Sequence, residues 1–289
     1  MLGKEHFSST LAISISLIVI IIFQIFNNIN SVITFSQIPI YILSLPYIDY
    51  IYLFIFFAGM MIASTAPDVD VEEPFTALRR KGKLSTIWFN LIKYIAYTPT
   101  ALFLSIFDKS EVGHRKIFHS IFGMIFYSIA VLIIFIIIIS IISFIIISLH
   151  VSTTNGITTT QDTVYIFKYF WNYIYVFLIG SALGFLSHLY EDSTTVSGIT
   201  YFPIITNLGL KGKLKTGSKE FYEERNIHFL EKSRFGMYMF WIYNFLFIYI
   251  YFNYGLYLYS FIFTIIIYLL LSIVLLVITC GLRPSKIVR

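Results

Sequence analysis

The run from Val131 to Ile147 carries no charge and interrupts its aliphatic and aromatic side chains only with Ser140 and Ser143. A helix that is apolar all round has no face to offer water, so such a segment lies inside protein or inside lipid. Here the runs recur along the chain, which is 58% hydrophobic and 12% charged over 289 residues, with a mean hydropathy of +0.83. An ordinary soluble globular domain is excluded by that balance.

A bilayer core of roughly 30 Å asks for about 20 apolar residues per helical crossing. Six segments meet that demand, 7–27, 46–66, 117–149, 164–189, 235–252 and 256–281, and they predict an all-α, polytopic helical bundle. Segment 85–107 is apolar too but contains Lys93 and Pro99, which fits an interfacial, re-entrant or broken-hairpin path. The expected organisation is a membrane-embedded unit over 1–234 followed by a C-terminal helical pair over 235–289. The first segment follows a short stretch with Lys4 and precedes no small-residue cleavage site, so it is expected to be a retained helix. Cys280, the single cysteine, cannot form an intramolecular disulfide and leaves the redox compartment open.

The twenty Lys and Arg residues restrict the topology. If 85–107 makes no net crossing, all of them except Lys93 and Lys168 fall on one face, while the loops near 28–45, 150–163 and 253–255 have none. Basic loops stay in the cytoplasm, so both termini and the 190–234 loop are predicted inside the cell, in a protein of the cytoplasmic membrane. The net charge of +5 follows this topology. Because 211–234 also holds Glu220, Glu223, Glu224 and Glu231, it indicates a solvated face or an anionic lipid surface rather than a nucleic-acid partner.

The same topology brings His6, Asp68, Asp70, His114, His119, His188 and Asp192 to the cytoplasmic ends of their segments. Placing such side chains at a membrane boundary is costly unless they share a partner, and the natural partner is a cation. In HLYED, His188 and Asp192 are four residues apart at a helix end and share one face. A buried histidine–aspartate hydrogen bond is the plainer alternative for that pair. In APDVD, Pro67 ends a helix and Asp68 and Asp70 follow in a turn, where the helix dipole disfavours carboxylates. Glu72 and Glu73 read as a solvated continuation. In GHRKIFHS, His114 and His119 would point about 140° apart on one continuous helix, so His114 is expected to precede the helix or serve another ion. Arg115 and the N–H groups of a helix beginning near Lys116 would suit a phosphate oxygen, although Arg115 equally fits an interfacial basic residue. His6 is the weakest member, since a histidine beside a membrane helix is commonly interfacial. His150 on the charge-free face and His228 after a charged run are left out.

His6, PDVD at 67–70, GHR and HS within 113–120, GFLSHLYED at 184–192, Gly198 and Pro203, and TGSKE at 216–220 occur in an order that resembles the YdjM-like family of membrane-bound metal-dependent hydrolases. The likeness runs to about residue 220, and the last two membrane segments have no counterpart in it. It implies a helical membrane protein with a His/Asp metal centre and a distant kinship to zinc-dependent phospholipase C and S1/P1-type nucleases, which cleave phosphoesters. On that likeness His188 and Asp192 carry over as a ligand pair. Asp68, Asp70, His114, His119 and His6 complete the set, with Glu220 and Ser120 as outer contacts. The family pattern HRGxTHS has Lys116 and Phe118 here in place of its glycine and threonine, and a second His-x-x-x-Glu/Asp pair is missing, which leaves the number of metals between one and three.

The expected function is therefore cleavage of a phosphoester in a membrane lipid or lipid-linked phosphate, using zinc first, with manganese or magnesium as alternatives. Asp68 or Asp70 would serve either as metal ligand or instead as general base, two roles the sequence does not separate, and Arg115 would stabilise developing negative charge. The competing expectation is a scaffold, transporter or inactive relative whose cluster holds a structural metal or relays protons. Against transport, the ionisable groups gather at one face and no internal repeat is visible.

Overall fold

The computed structural model describes residues 3–26, 37–70, 118–154, 160–203, 205–206, 208–217 and 219–286. His114, Arg115, Lys116 and segment 85–107 lie outside them. Helix α1 spans Gly3–Ile20 and continues as a π-helical turn, Ile21–Phe26. A short α2, Ile38–Leu43, leads into α3, Tyr47–Ala63, and then a 3₁₀ turn, Pro67–Asp70. Two long helices follow, α4 over Ile121–Thr154 and α5 over Thr160–Ser193. After strand β1, Leu208–Lys211, and the short α6, Lys219–Glu224, come α7, Ser233–Asn253, α8, Phe261–Cys280, and strand β2, Arg283–Lys286.

Five helices among the described residues are long and apolar enough to cross a membrane: those containing Glu5–Ile25, Ile121–Ile146, Phe170–Ser193, Ser233–Asn253 and Phe261–Cys280. The sixth expected span, 46–66, is the 17-residue α3. At 1.5 Å per residue it is about 26 Å long, at the short limit for a crossing. Lipid-facing positions account for the outward rows of α4 and α8, such as Ile133, Ile137, Ile141, Ile262 and Leu270, all exposed.

The closest helix contact joins α3 to α5, and glycine makes it possible. Gly180 and Gly184 sit four apart on α5, and a Cβ on either would run into the backbone carbonyl of Phe56 or Met60 on α3; Gly59 faces Phe177 and Ser181 in return. Small residues spaced by four let two backbones approach where lipid gives no hydrophobic drive for association. This contact matters for the site because the end of α3 carries Ser64 and Asp68 while the end of α5 carries His188 and Asp192.

Buried apolar side chains fill both sides of this pair. Phe118, Tyr127, Phe177, Phe185 and Leu189 pack between α3, α4 and α5, and Phe23, Phe56, Met60, Phe240, Phe247 and Tyr251 pack between α1, α3 and α7. Polar bonds tie the helices at depth: Trp241 Nε1 to Ser8 Oγ at 3.0 Å, Tyr268 OH to Asn244 Oδ1 at 2.9 Å, and Tyr190 OH with Ser272 Oγ at 2.7 Å. Gln24, in the π turn, donates to Leu256 O, Tyr259 O and Thr264 Oγ1. At the other end, β1 pairs antiparallel with β2, Lys213 N donates to Cys280 O, and Ser233 N donates to Lys215 O. The segment 208–215 thus lies at the start of α7 and the end of α8.

Two element boundaries differ from the sequence expectation. Helix α4 begins at Ile121, later than Lys116: Phe118 and His119 form a turn, the Ser120 hydroxyl accepts from Gly123 N, and Ile121 N donates to Tyr201 O. The last span begins at Phe261 rather than 256, because Leu256–Leu258 is a 3₁₀ turn and the Ser260 side chain caps the helix by accepting from Phe263 N.

Candidate metal centre

Four elements meet at one end of the bundle. His6 stands in the first turns of α1, Asp68 in the 3₁₀ turn after α3, His119 in the turn before α4, and His188 and Asp192 in the last turns of α5. His6, His119, His188 and Asp192 are at most 1% exposed, whereas the Asp68 side chain is 17% exposed and forms the accessible side of the cluster.

Each contact within the cluster is a near approach of nitrogen and carboxylate oxygen. His6 Nε2 lies 3.4 Å from Asp192 Oδ1, and His188 Nε2 lies 3.5 Å from Asp192 Oδ2 and 3.7 Å from Asp68 Oδ1. His119 Nε2 lies 3.4 Å from Asp68 Oδ1 and 3.9 Å from Asp192 Oδ2. Charge-assisted hydrogen bonds between imidazolium and carboxylate close to about 2.7–2.9 Å. By contrast, two ligands that each sit near 2.1 Å from one tetrahedral ion are about 3.4 Å apart. The spacings of 3.4 and 3.5 Å, which include the long hydrogen bond between His119 and Asp68, match the second arrangement.

The proton positions point the same way. His188 Nδ1 is 2.7 Å from the Ser64 carbonyl, which can only accept, so Nδ1 carries a proton and, in the neutral form of the ring, Nε2 presents a lone pair to the two aspartates. On the other side, His6 Nδ1 is 2.8 Å from Glu191 Oε2. Although buried, His6 Nε2 and His188 Nε2 make no hydrogen bond. The two rings stack at 3.8 Å between centroids, a separation at which two imidazolium charges would repel strongly. A cation between the nitrogens and the carboxylates resolves all of these mismatches, and the donor set fits one: His6, His188 and Asp192, and likewise Asp68, His119 and His188, each offer ligand atoms within 4.8 Å of one another.

Burial alone would raise the pKa of Asp68, but the positive charge that His188 can carry and the hydrogen bond from His119 outweigh it and hold the carboxyl below the usual carboxylate range. It is therefore a full anion at neutral pH. Tyr201, bordering Ser193 and Asp192, is pushed up to about 12, chiefly by burial, and stays a neutral phenol.

Five of the seven residues expected as ligands thus come together. Asp70 ends the 3₁₀ turn, but its side chain, like that of Glu220 in α6, is outside the described part, as are His114 and Arg115 altogether. Ser120 serves as the cap of α4. His6, ranked last from sequence, is completely buried in the cluster. Glu191 is the residue that sequence reasoning missed. Its spacing of three from His188 puts it on the same helical face, a signal that reading HLYED as a two-ligand motif passed over.

The family model described as YdjM inner membrane protein matches residues 44–281. The match takes in the last two membrane helices, which the sequence reading had left without a counterpart, and it leaves His6 outside. Neither a curated protein nor a solved structure matches the chain.

Proposed function

The chain belongs to the YdjM inner membrane protein family, and from that premise we propose a membrane-embedded hydrolase that holds a divalent cation through His6, Asp68, His119, His188 and Asp192 and cleaves a phosphoester of a lipid or lipid-linked substrate on the cytoplasmic side. The observation that carries the reading is the convergence of buried imidazole Nε2 atoms on carboxylate oxygens at ligand spacing, without hydrogen bonds at His6 Nε2 and His188 Nε2. Mixed imidazole and carboxylate donors suit zinc first, with manganese or magnesium as substitutes. When bound, such an ion supplies Lewis acidity toward a phosphoryl oxygen and lowers the pKa of a water molecule.

The chain's own groups do the rest. Ser64 O fixes the ring of His188 so that its Nε2 faces the centre. Asp68, the partly exposed member, is anionic and placed to accept a proton from a water entering at its side. Asp70 shares that turn and could divide the work with it, while Arg115 and Lys116 are assigned the developing charge on phosphate. The preference for a lipid phosphoester rests on the site's position at the ends of membrane helices, where a headgroup can arrive laterally, and on the distant resemblance of the sequence motifs alone to phosphoester-cleaving enzymes.

The test starts with metal content. Purified protein should carry a stoichiometric divalent metal that a His188→Ala, Asp192→Ala double variant lacks; equal metal in both would sink the reading. Metal-loaded protein should then release phosphate or a headgroup from one of phosphatidic acid, polyprenyl phosphates or phospholipids. Inactivity on all of these and on short oligonucleotides would reassign the centre as a structural metal site.

A further inference from the structure

We infer that Glu191 is the positioning residue that turns His6, and with it helix α1, into part of the metal centre. The inference rests on the proposed metal-binding function and adds a residue to it. Glu191 is completely buried, and both of its oxygens are engaged: Oε2 lies at hydrogen-bond distance, 2.8 Å, from His6 Nδ1, and Oε1 accepts from Thr10 Oγ1 at 3.3 Å. Thr10 Oγ1 is in turn 2.7 Å from Ser187 Oγ, so the carboxylate is locked between α1 and α5. Neither candidate ligand set includes Glu191.

The consequence falls on the ring of His6. The bond to Glu191 engages Nδ1 and so turns the other ring nitrogen, Nε2, toward Asp192 Oδ1, and a partner on the far nitrogen of a metal-binding histidine fixes the ring for a cation. Ser64 O does the same for His188 from the other side of the stacked pair. One ring is held by a backbone carbonyl, the other by a side-chain carboxyl. His6 lies outside the family match at 44–281, whereas Glu191 lies within it, so the helix that closes the centre is recruited by a residue of the matched part.

The experiment measures the affinity of the detergent-purified full chain for Zn²⁺ alone, by competition with a chelating dye, in wild type, His6→Ala, Glu191→Ala, Glu191→Gln and the His6→Ala, Glu191→Ala double variant. Loss of a group that supports a metal-ligating histidine weakens binding roughly 10–100-fold. Glu191→Ala should show such a loss, and the double variant should bind no more weakly than His6→Ala, because Glu191 acts only through His6. Glu191→Gln keeps the volume and a neutral acceptor and should lose affinity severalfold, which serves as the test if the alanine variant does not fold. Wild-type affinity in Glu191→Ala or Glu191→Gln would overturn the inference, and so would a double variant showing the product of the two single losses. The two readings fail separately: a wild type that binds no Zn²⁺ removes the metal centre itself. A wild type that binds Zn²⁺, loses it in the His188→Ala, Asp192→Ala variant and keeps it in the Glu191 variants removes only the role of Glu191.

Discussion

In the proposed centre an imidazole nitrogen would act as a ligand only when unprotonated, so protons and metal would compete for the same lone pairs. A cation bound through those lone pairs would be displaced by protons as the pH falls. If His6, His119 and His188 all contribute as proposed, zinc affinity should fall with acidification more steeply than the about tenfold per pH unit of a single imidazole. A competition titration at successive pH values checks this, and a slope of one would reduce the number of histidine ligands to one. Asp68 tests differently. Asp68→Asn keeps the shape but removes the anion beside His119 and His188, and it should weaken zinc binding by at least the roughly 10–100-fold typical of lost supporting groups, while the deeper His6, His188 and Asp192 set retains residual affinity.

At the scale of elements, the site depends on how closely α3 lies against α5. An added Cβ at Gly184 would collide with the Met60 carbonyl, and overpacking of this kind costs about 1–3 kcal/mol. Gly184→Ala should therefore lower the thermal midpoint in detergent, and it should also weaken zinc binding, since pushing α3 away carries Ser64 O and Asp68 from His188. A variant destabilised with its zinc affinity intact would show that the contact holds the fold but not the centre. The helices themselves were legible in the sequence because lipid demands uniform apolarity, as in Val131 to Ile147. Their ends were less so. The start of α4 is set by the Ser120 cap and by Tyr201 O, a partner about eighty residues away in the chain. The β1–β2 ribbon joins 208–211 to 283–286, two four-residue strands too short and too distant to declare their pairing. HLYED revealed its His188 and Asp192 through helical spacing, whereas the buried depth of His6 depends on a contact with Glu191 across 185 positions, which no local pattern encodes.

Across the described residues, the candidate centre and the basic segments near 211–215, 234 and 283–286 share one end. Helices α1 and α4 begin there and α3 and α5 finish there, as the meeting of His6, His119, Asp68 and His188 requires. Through the bonds of Lys213 to Cys280 and of Ser233 to Lys215, the same end takes in Lys211, Lys213, Lys215, Arg234, Arg283 and Lys286. The far end of α7 turns through Asn253, Tyr254 and Gly255, where no Lys or Arg occurs. Cationic loops resist export across the membrane, so this asymmetry predicts a cytoplasmic centre and an outward-facing 253–255 turn. Single cysteines read the orientation directly. With buried Cys280 replaced by serine, Tyr254→Cys, at a position 72% exposed, should react with a membrane-impermeant maleimide on intact cells. Lys213→Cys, at an exposed position beside the centre, should react only after the cells are opened. The opposite labelling pattern would turn the centre outward, and any substrate would then have to be a phosphoester of the outer leaflet.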